Sequence, residues 1–453
     1  MAEHISDLKN DSQADQAWSW NRKQLLGLSP DIITVKATAR LIDPARWEQL
    51  GQNDRLVWGL FSRRKLPPHQ IFVQKSDLTG SCSCNGLKHP CKFFIALLVL
   101  YTDKPALFEQ AETPDWIDGQ SAVVPVTDLL TTDHQILVTF KTGMEEFSRW
   151  LRDQVRHGIA DFAERIPADL ESMANRLIDS HMPRIANELR LLGQAVTPRK
   201  GKRPDDWPET LIKGLGRFYL LTQAWERFDL LSAAEQNDLI EACVELPTFN
   251  SQLSTNSVVA DDWLVIGRKF EALGQKWHRR MWLYGTKSQR FALIKDAVSV
   301  RKIPLSHLVT GTTYSGDFQF AETTTPILGR LINSQLMRDA VQYPKGASAV
   351  DFVEAEADYM KASASNPWLR QWPVLLRGVR LHFDSVQNCW HVIDAQDQAV
   401  QLLNGKDTGW YLLAASHGRP IDLFGEWSRQ GLTLISIFYD DEWLDLTVWG
   451  NKT

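Results

Sequence analysis

Cys82-Ser83-Cys84-Asn85-Gly86-Leu87-Lys88-His89-Pro90-Cys91-Lys92-Phe93-Phe94-Ile95-Ala96-Leu97-Leu98 carries the strongest local signal in the chain. Two thiols one residue apart at a strand end are placed to share one metal ion. A third thiol opens an apolar run, where a helix N-terminus favours the thiolate. Gly80 and Gly86 give the backbone the freedom that tight turns need. Upstream, Leu56 to Phe61, the basic turn Ser62 to Pro68 and Ile71-Phe72-Val73 form a β-hairpin pattern. Phe93 falls on the inward stripe of the predicted helix with Leu97 and Leu100, and is expected to be buried. The segment as a whole reads as a small ββα finger.

The Cys-x-Cys and Cys91 spacing resembles the SWIM zinc finger, whose pattern ends in Cys-x-His on the first turn of a helix. Trp47 with Leu50-Gly51, Leu56-Val57-Trp58-Gly59, Pro90-Cys91-Lys92 and Pro114-Asp115-Trp116 extend a resemblance to bacterial SWIM zinc finger proteins. Glu145-Glu146 and Trp150 to Asp153 extend it further. The resemblance implies a zinc ion and Cys82, Cys84 and Cys91 as ligands. Here the family's histidine position holds Phe93, and His89 lies two residues before Cys91. A structural zinc site takes about four ligands, so two readings stand. Either His89 folds inward as the fourth ligand, or the finger is degenerate and its cysteines act as small buried groups.

The rest of the chain bounds the function. Its 453 residues allow two to four domains. At 43% apolar and 23% charged, the composition is that of an ordinary globular protein. Its longest apolar run, Phe93 to Tyr101, is far shorter than a membrane span. Five cysteines, three of them within ten residues, do not make a disulfide framework. The polar start lacks a signal-peptide core, so the expected location is the cytoplasm. The expected fold class is α+β. Its parts are a disordered tail (1–19), the finger domain with N-terminal helices (20–120), a linker (121–140), a helical domain (141–285) and a C-terminal α+β domain with antiparallel strands (286–453). Within these, helices are expected over Asp261 to Tyr284 and Pro326 to Val341, and strands over Val379 to Phe383, Cys389 to Ile393, Trp410 to Ala414 and Leu432 to Tyr439.

Net charge is −5, yet Arg22 to Lys104 holds thirteen basic residues against six acidic. Any nucleic-acid contact therefore belongs to the finger, through Arg63, Arg64, Lys65, Lys88 and Lys92; the simpler reading of such a run is a solvated face. No nucleotide-binding glycine loop, His-Glu-x-x-His helix or nucleophile elbow is present. His382 and His391 fall on strands expected to be neighbours, which leaves a paired site open. The preferred reading is a non-enzymatic adaptor that binds proteins. The resemblance implies MoxR-type AAA+ ATPases and von Willebrand A-domain proteins as partners. DNA or RNA binding is the alternative, and an enzyme in the C-terminal domain is the third.

Overall fold

The computed structural model describes residues 18, 20–29, 32–75, 78, 80–84, 90–118, 133–198, 203–243, 257–273, 276–299, 308–337, 344, 348–349 and 351–446. The N-terminal unit holds helices α1 (Arg22–Gly27) and α2 (Ile32–Ala39) and strands β1 (Trp47–Gln52), β2 (Leu56–Arg63), β3 (Leu66–Gln74) and β4 (Gly80–Cys82). Helix α3 (Lys92–Asp103), strand β5 (Glu109–Gln110) and the single turn α4 (Asp115–Asp118) follow. The strands form one sheet in the order β4-β3-β2-β1-β5, parallel only between β1 and β5. The finger is therefore larger than ββα, because the Trp47 segment adds an antiparallel strand to the expected hairpin. Trp18 is not part of a loose tail: it meets Tyr101 edge-to-face and donates to Thr102 Oγ1 at 2.9 Å.

Five amphipathic helices follow: α5 (Asp133–His157), α6 (Ile159–Asp179), α7 (Pro183–Val196), α8 (Trp207–Glu226) and α9 (Ala233–Cys243). Phe140, Met144, Phe147 and Leu151 recur every third or fourth residue on α5 and bury one stripe against Leu170, Met173 and Leu177 of α6. Gly158 joins the two helices at φ +89°, a conformation that favours glycine. α5 begins inside the segment expected to be a linker, and residues 119–132 lie outside the described residues.

The last helix of this run ends at Cys243, and the described residues of Asp261 to Tyr284 are not helical. They form β6 (Ser257–Leu273) and β7 (Lys276–Gly285), the centre of an antiparallel sheet with β8 (Phe291–Ser299), β9 (Thr313–Phe320) and β10 (Gly329–Leu336), in the order β10-β9-β6-β7-β8. The physical reason is burial on both faces. Trp263, Val265, Met281 and Leu283 enter the core shared with the finger. Leu264, Ile266, Trp282 and Tyr284 enter a second core on the opposite side. With both faces apolar, the period-two alternation of a strand is hidden. Within the segment expected as a helix over Pro326 to Val341, the described residues hold the strand β10, and 338–341 lie outside them. The pairing of β10 with β9 shifts register between Ile332 and Gln335, and Asn333 takes φ +52°. That irregularity displaces its apolar residues from strict alternation and makes their spacing look helical.

The C-terminal unit runs through β11 (Ser348–Ala349), α10 (Phe352–Ser365), β12 (Trp372–Asp384), β13 (Cys389–Ile393), β14 (Ala399–Leu402), α11 (Gly405–Ser416), β15 (Ile421–Ser428), β16 (Gly431–Tyr439) and β17 (Glu442–Asp445). Trp410 to Ala414 is helical, not a strand. Gly405 and Gly409 let α11 lie directly on Trp390, where an added Cβ would come within 2.5 Å of its Cβ and 2.3 Å of its ring, respectively. Strands β12, β13, β14, β16 and β15 pair in turn, and β15 pairs back to β12. The ring closes in the order 1-2-3-5-4-1, with the third and fifth strands parallel and a helix between the third and fourth. This is the topology of an OB-type barrel. Leu375, Phe424 and Ile435 pack one side of the barrel on the central sheet.

Buried and half-buried ion pairs bind the layers. Arg268 on β6 meets Asp445 on β17 at 2.9 Å, and Arg280 on β7 meets Glu426 on β15 at 3.0 Å. Glu241 on α9 accepts from Arg184 at 3.0 Å and from Lys295 on β8 at 2.5 Å. Thr310 donates to Asp445, so the Thr310-Gly311 turn acts as a structural clasp. No described helix is long and apolar enough to cross a membrane.

Candidate metal centre

Three elements position the thiols. Cys82 ends β4, opposite Ile71 of β3. Gly80 makes that close pairing possible, since an added Cβ would lie 2.1 Å from the Phe72 carbonyl oxygen. Cys84 follows one residue later, as the chain leaves the sheet. Cys91 is the N-cap of α3, and its Sγ accepts from the Phe94 amide at 3.4 Å. The three sulfurs lie within 4.8 Å of one another.

Their electrostatics follow from that crowding. The Cys82 thiol is pushed well above its ordinary range by contacts with Cys84 and Cys91, with burial adding to the effect. Cys91 rises to about 12: contact with Cys82 lowers it, but contact with Cys84 and burial outweigh that. Three neighbouring thiolates cannot coexist in a half-buried site without positive charge to balance them. A divalent soft cation supplies that charge and accepts this donor set. Zinc fits as a three-sulfur site that still needs a fourth ligand. Cys82, Cys84 and Cys91 are the residues that would hold it.

Position 93 is where the residues depart from the SWIM finger pattern they resemble. Phe93 lies on the first turn of α3, half-buried. Its ring centroid sits 4.9 Å from Phe61 and 4.6 Å from His69. It is a packing residue shared between the sheet and the groove, not the fully buried core residue expected from its spacing. Leu97 and Leu100, expected to share its face, are fully buried. His89 and Lys88 lie outside the described residues.

His69 is a neighbour that the sequence reading missed. Ser83 donates to the Gln70 carbonyl at 2.9 Å, so the β3–β4 ladder continues past Cys82 and sets His69 opposite Cys84. Burial, then the charge of Arg63, holds His69 below its ordinary value, so it is a neutral imidazole at neutral pH. Its Nε2 lies 3.4 Å from Arg63 Nη1. Hairpin register was the signal: once β3 and β4 pair, His69 and Cys84 must face one another.

The basic residues divide. Arg63 is half-buried and donates its Nε to the Pro67 carbonyl at 2.8 Å. Arg64 and Lys65 form the exposed tip between β2 and β3, with Lys65 at φ +59°. Lys92 is exposed, its Nζ 5.2 Å from the Phe93 ring centroid. A groove of about 880 Å³ runs from Ile33 and Ala37 of α2 over Pro67 and Pro68 to His69, Cys84, Cys91 and Phe93. Arg63 and Lys92 also border it.

No curated protein and no solved structure matches the chain. Residues 138–243, which span α5 to α9, match the SWIM-associated four-helix bundle domain. The thiol cluster thus precedes, in the same chain, a helical region similar to the domain that accompanies SWIM modules.

Proposed function

We propose that this protein is a non-enzymatic adaptor whose SWIM-type finger, with zinc held by Cys82, Cys84 and Cys91, presents the adjoining groove to a protein partner. The observation that carries the reading is the convergence of three sulfurs at one strand–helix junction. The match at 138–243 to a SWIM-associated domain supports it. The apolar walls at Ile33, Ala37, Pro67, Pro68 and Phe93 suit a protein segment. The partners to test first are the ones the family resemblance implies: a MoxR-type AAA+ ATPase and a von Willebrand A-domain protein. Calorimetry with each purified partner should show saturable binding to the zinc-loaded chain and weaker binding to Cys84→Ala. Absence of binding to both partners, or binding indifferent to Cys84→Ala, overturns the proposal.

Nucleic-acid binding is a second reading, favoured by the exposure of Arg64, Lys65 and Lys92 on one module. On duplex DNA each phosphate contact contributes about −0.9 to the log–log salt slope. The pair Arg64→Glu and Lys65→Glu should then bind more weakly and with a shallower slope. An unchanged slope removes the hairpin tip as a phosphate contact.

A further inference from the structure

Strands β12 and β13 bring four metal-ligating side chains to the exposed face of the C-terminal barrel. Their antiparallel register sets His382 opposite His391 and Asp384 opposite Cys389. Residues two apart on a strand share a face, so these two adjacent pairs form a block on one side of the hairpin. Trp390 and Val392, which alternate with them, point the other way and are buried.

Within that block, one ligand atom each from Asp384, Cys389 and His391 lies within 4.8 Å of the others. Cys389 Sγ is 4.0 Å from His391 Nδ1. Zinc–sulfur and zinc–nitrogen bonds at a tetrahedral angle put those two atoms about 3.6 Å apart, so the pair is close to coordinating separation. Asp384 Oδ1 accepts from the turn amides of Val386 at 2.8 Å and Gln387 at 3.0 Å, which fixes the carboxylate and leaves coordination to Oδ2. The carboxylate is therefore oriented before any ion arrives. His382, exposed and paired across the strands with His391, lies outside that 4.8 Å group and is the neighbouring donor that a rotamer change could bring to a fourth position.

The place in the fold agrees with the chemistry. In an OB-type barrel the second and third strands and the loop joining the first two form the ligand-binding face. Here those are β13, β14 and the turn between Asp384 and Cys389, on a barrel whose β12, β15 and β16 pack on the central sheet.

We propose that the β12–β13 hairpin binds one divalent transition-metal ion of the zinc class through Asp384, Cys389 and His391, with His382 as the fourth ligand. This site is separate from the three-thiol cluster and does not rest on it. The test uses the full chain, stripped with chelator and titrated with Co²⁺ against a competitor of micromolar affinity. Bound equivalents and the thiolate-to-cobalt charge-transfer band are followed. Wild type should bind one equivalent more than Cys389→Ser and than His391→Ala, whatever the finger binds. Both variants should keep the wild-type circular dichroism melt, since the hairpin lies on the surface. Loss of that equivalent in both variants, with the charge-transfer intensity falling in Cys389→Ser, supports the site. Equal stoichiometry in wild type and Cys389→Ser overturns it, as does a lost equivalent without any change in charge transfer.

Discussion

Phe93→His separates packing from coordination at the finger. The Phe93 ring contacts Phe61 and His69 at centroid distances of 4.9 and 4.6 Å. Each aromatic pair contributes about 0.5–1.5 kcal/mol beyond its buried area, so the zinc-free variant should be less stable by roughly 1–3 kcal/mol. With zinc the sign reverses. A histidine on the first turn of α3, two residues after Cys91, adds a nitrogen ligand to three sulfurs. Gaining a fourth protein ligand should tighten zinc by at least about tenfold, equivalent to about 1.4 kcal/mol. Urea melts with and without zinc give the first number, and chelator competition gives the second. Phe93→Leu is the control, because it loses the ring contacts without gaining a ligand. If Phe93→His holds zinc no more tightly than wild type, then position 93 does not address the thiol cluster, or the fourth ligand is already in place.

The remaining predictions concern the layers and the metal. Burial raises Asp238 from 3.8 to about 6 although Thr324 hydrogen bonds oppose the shift. The folded state therefore binds that proton more tightly than the unfolded state. The stability it contributes is full below pH 3.8 and is lost as pH rises through 6. At about 1.36 kcal/mol per unit the span is at most about 3 kcal/mol. Asp238→Asn should flatten the stability profile between pH 4 and 6 in urea melts, and an unchanged slope refutes the assignment. Trp282 is buried and donates from Nε1 to Glu426 at 2.9 Å. Trp282→Phe keeps most of the volume but strands that carboxylate oxygen, so a loss of about 1–3 kcal/mol is expected; a change below about 0.5 kcal/mol would show that the bond is dispensable. Chelator should lower the melting temperature without abolishing the cooperative transition, and complete unfolding on metal removal would contradict the continuous core.

Legibility followed how many faces of an element are wet. The finger strands were readable because hairpin signals bracket them, and the helices of 133–243 because each keeps one polar face. β6 and β7 were not, because Trp263 and Leu264, on opposite faces, both vanish into cores. α11 was misread because Gly405 and Gly409 look like turn residues, when their role is to let a helix backbone touch Trp390. The three thiols were found from spacing alone. His69, thirteen residues before Cys82, required strand register. The hairpin block was half visible: His382 and His391 stood out as a possible pair, but Asp384 and Cys389 join them only once the turn between the strands is known to be four residues long.

The same layering makes the fold of the finger independent of any metal. Every residue of α3 from Phe94 to Tyr101 is buried, which is the mark of a helix packed on all sides. An isolated zinc finger depends on its ion because it has too little apolar surface to fold alone. Here Ile95, Leu98 and their neighbours belong to one core with Trp263, Met281 and Phe318 of the central sheet. The helix that carries Cys91 is therefore held by contacts far from any thiol. What an ion would add is local: it would tie the strand end at Cys82 and Cys84 to the helix start at Cys91, which is the wall of the groove. Phe93 contributes ring packing instead of a ligand, stacking against Phe61 and His69 at the groove.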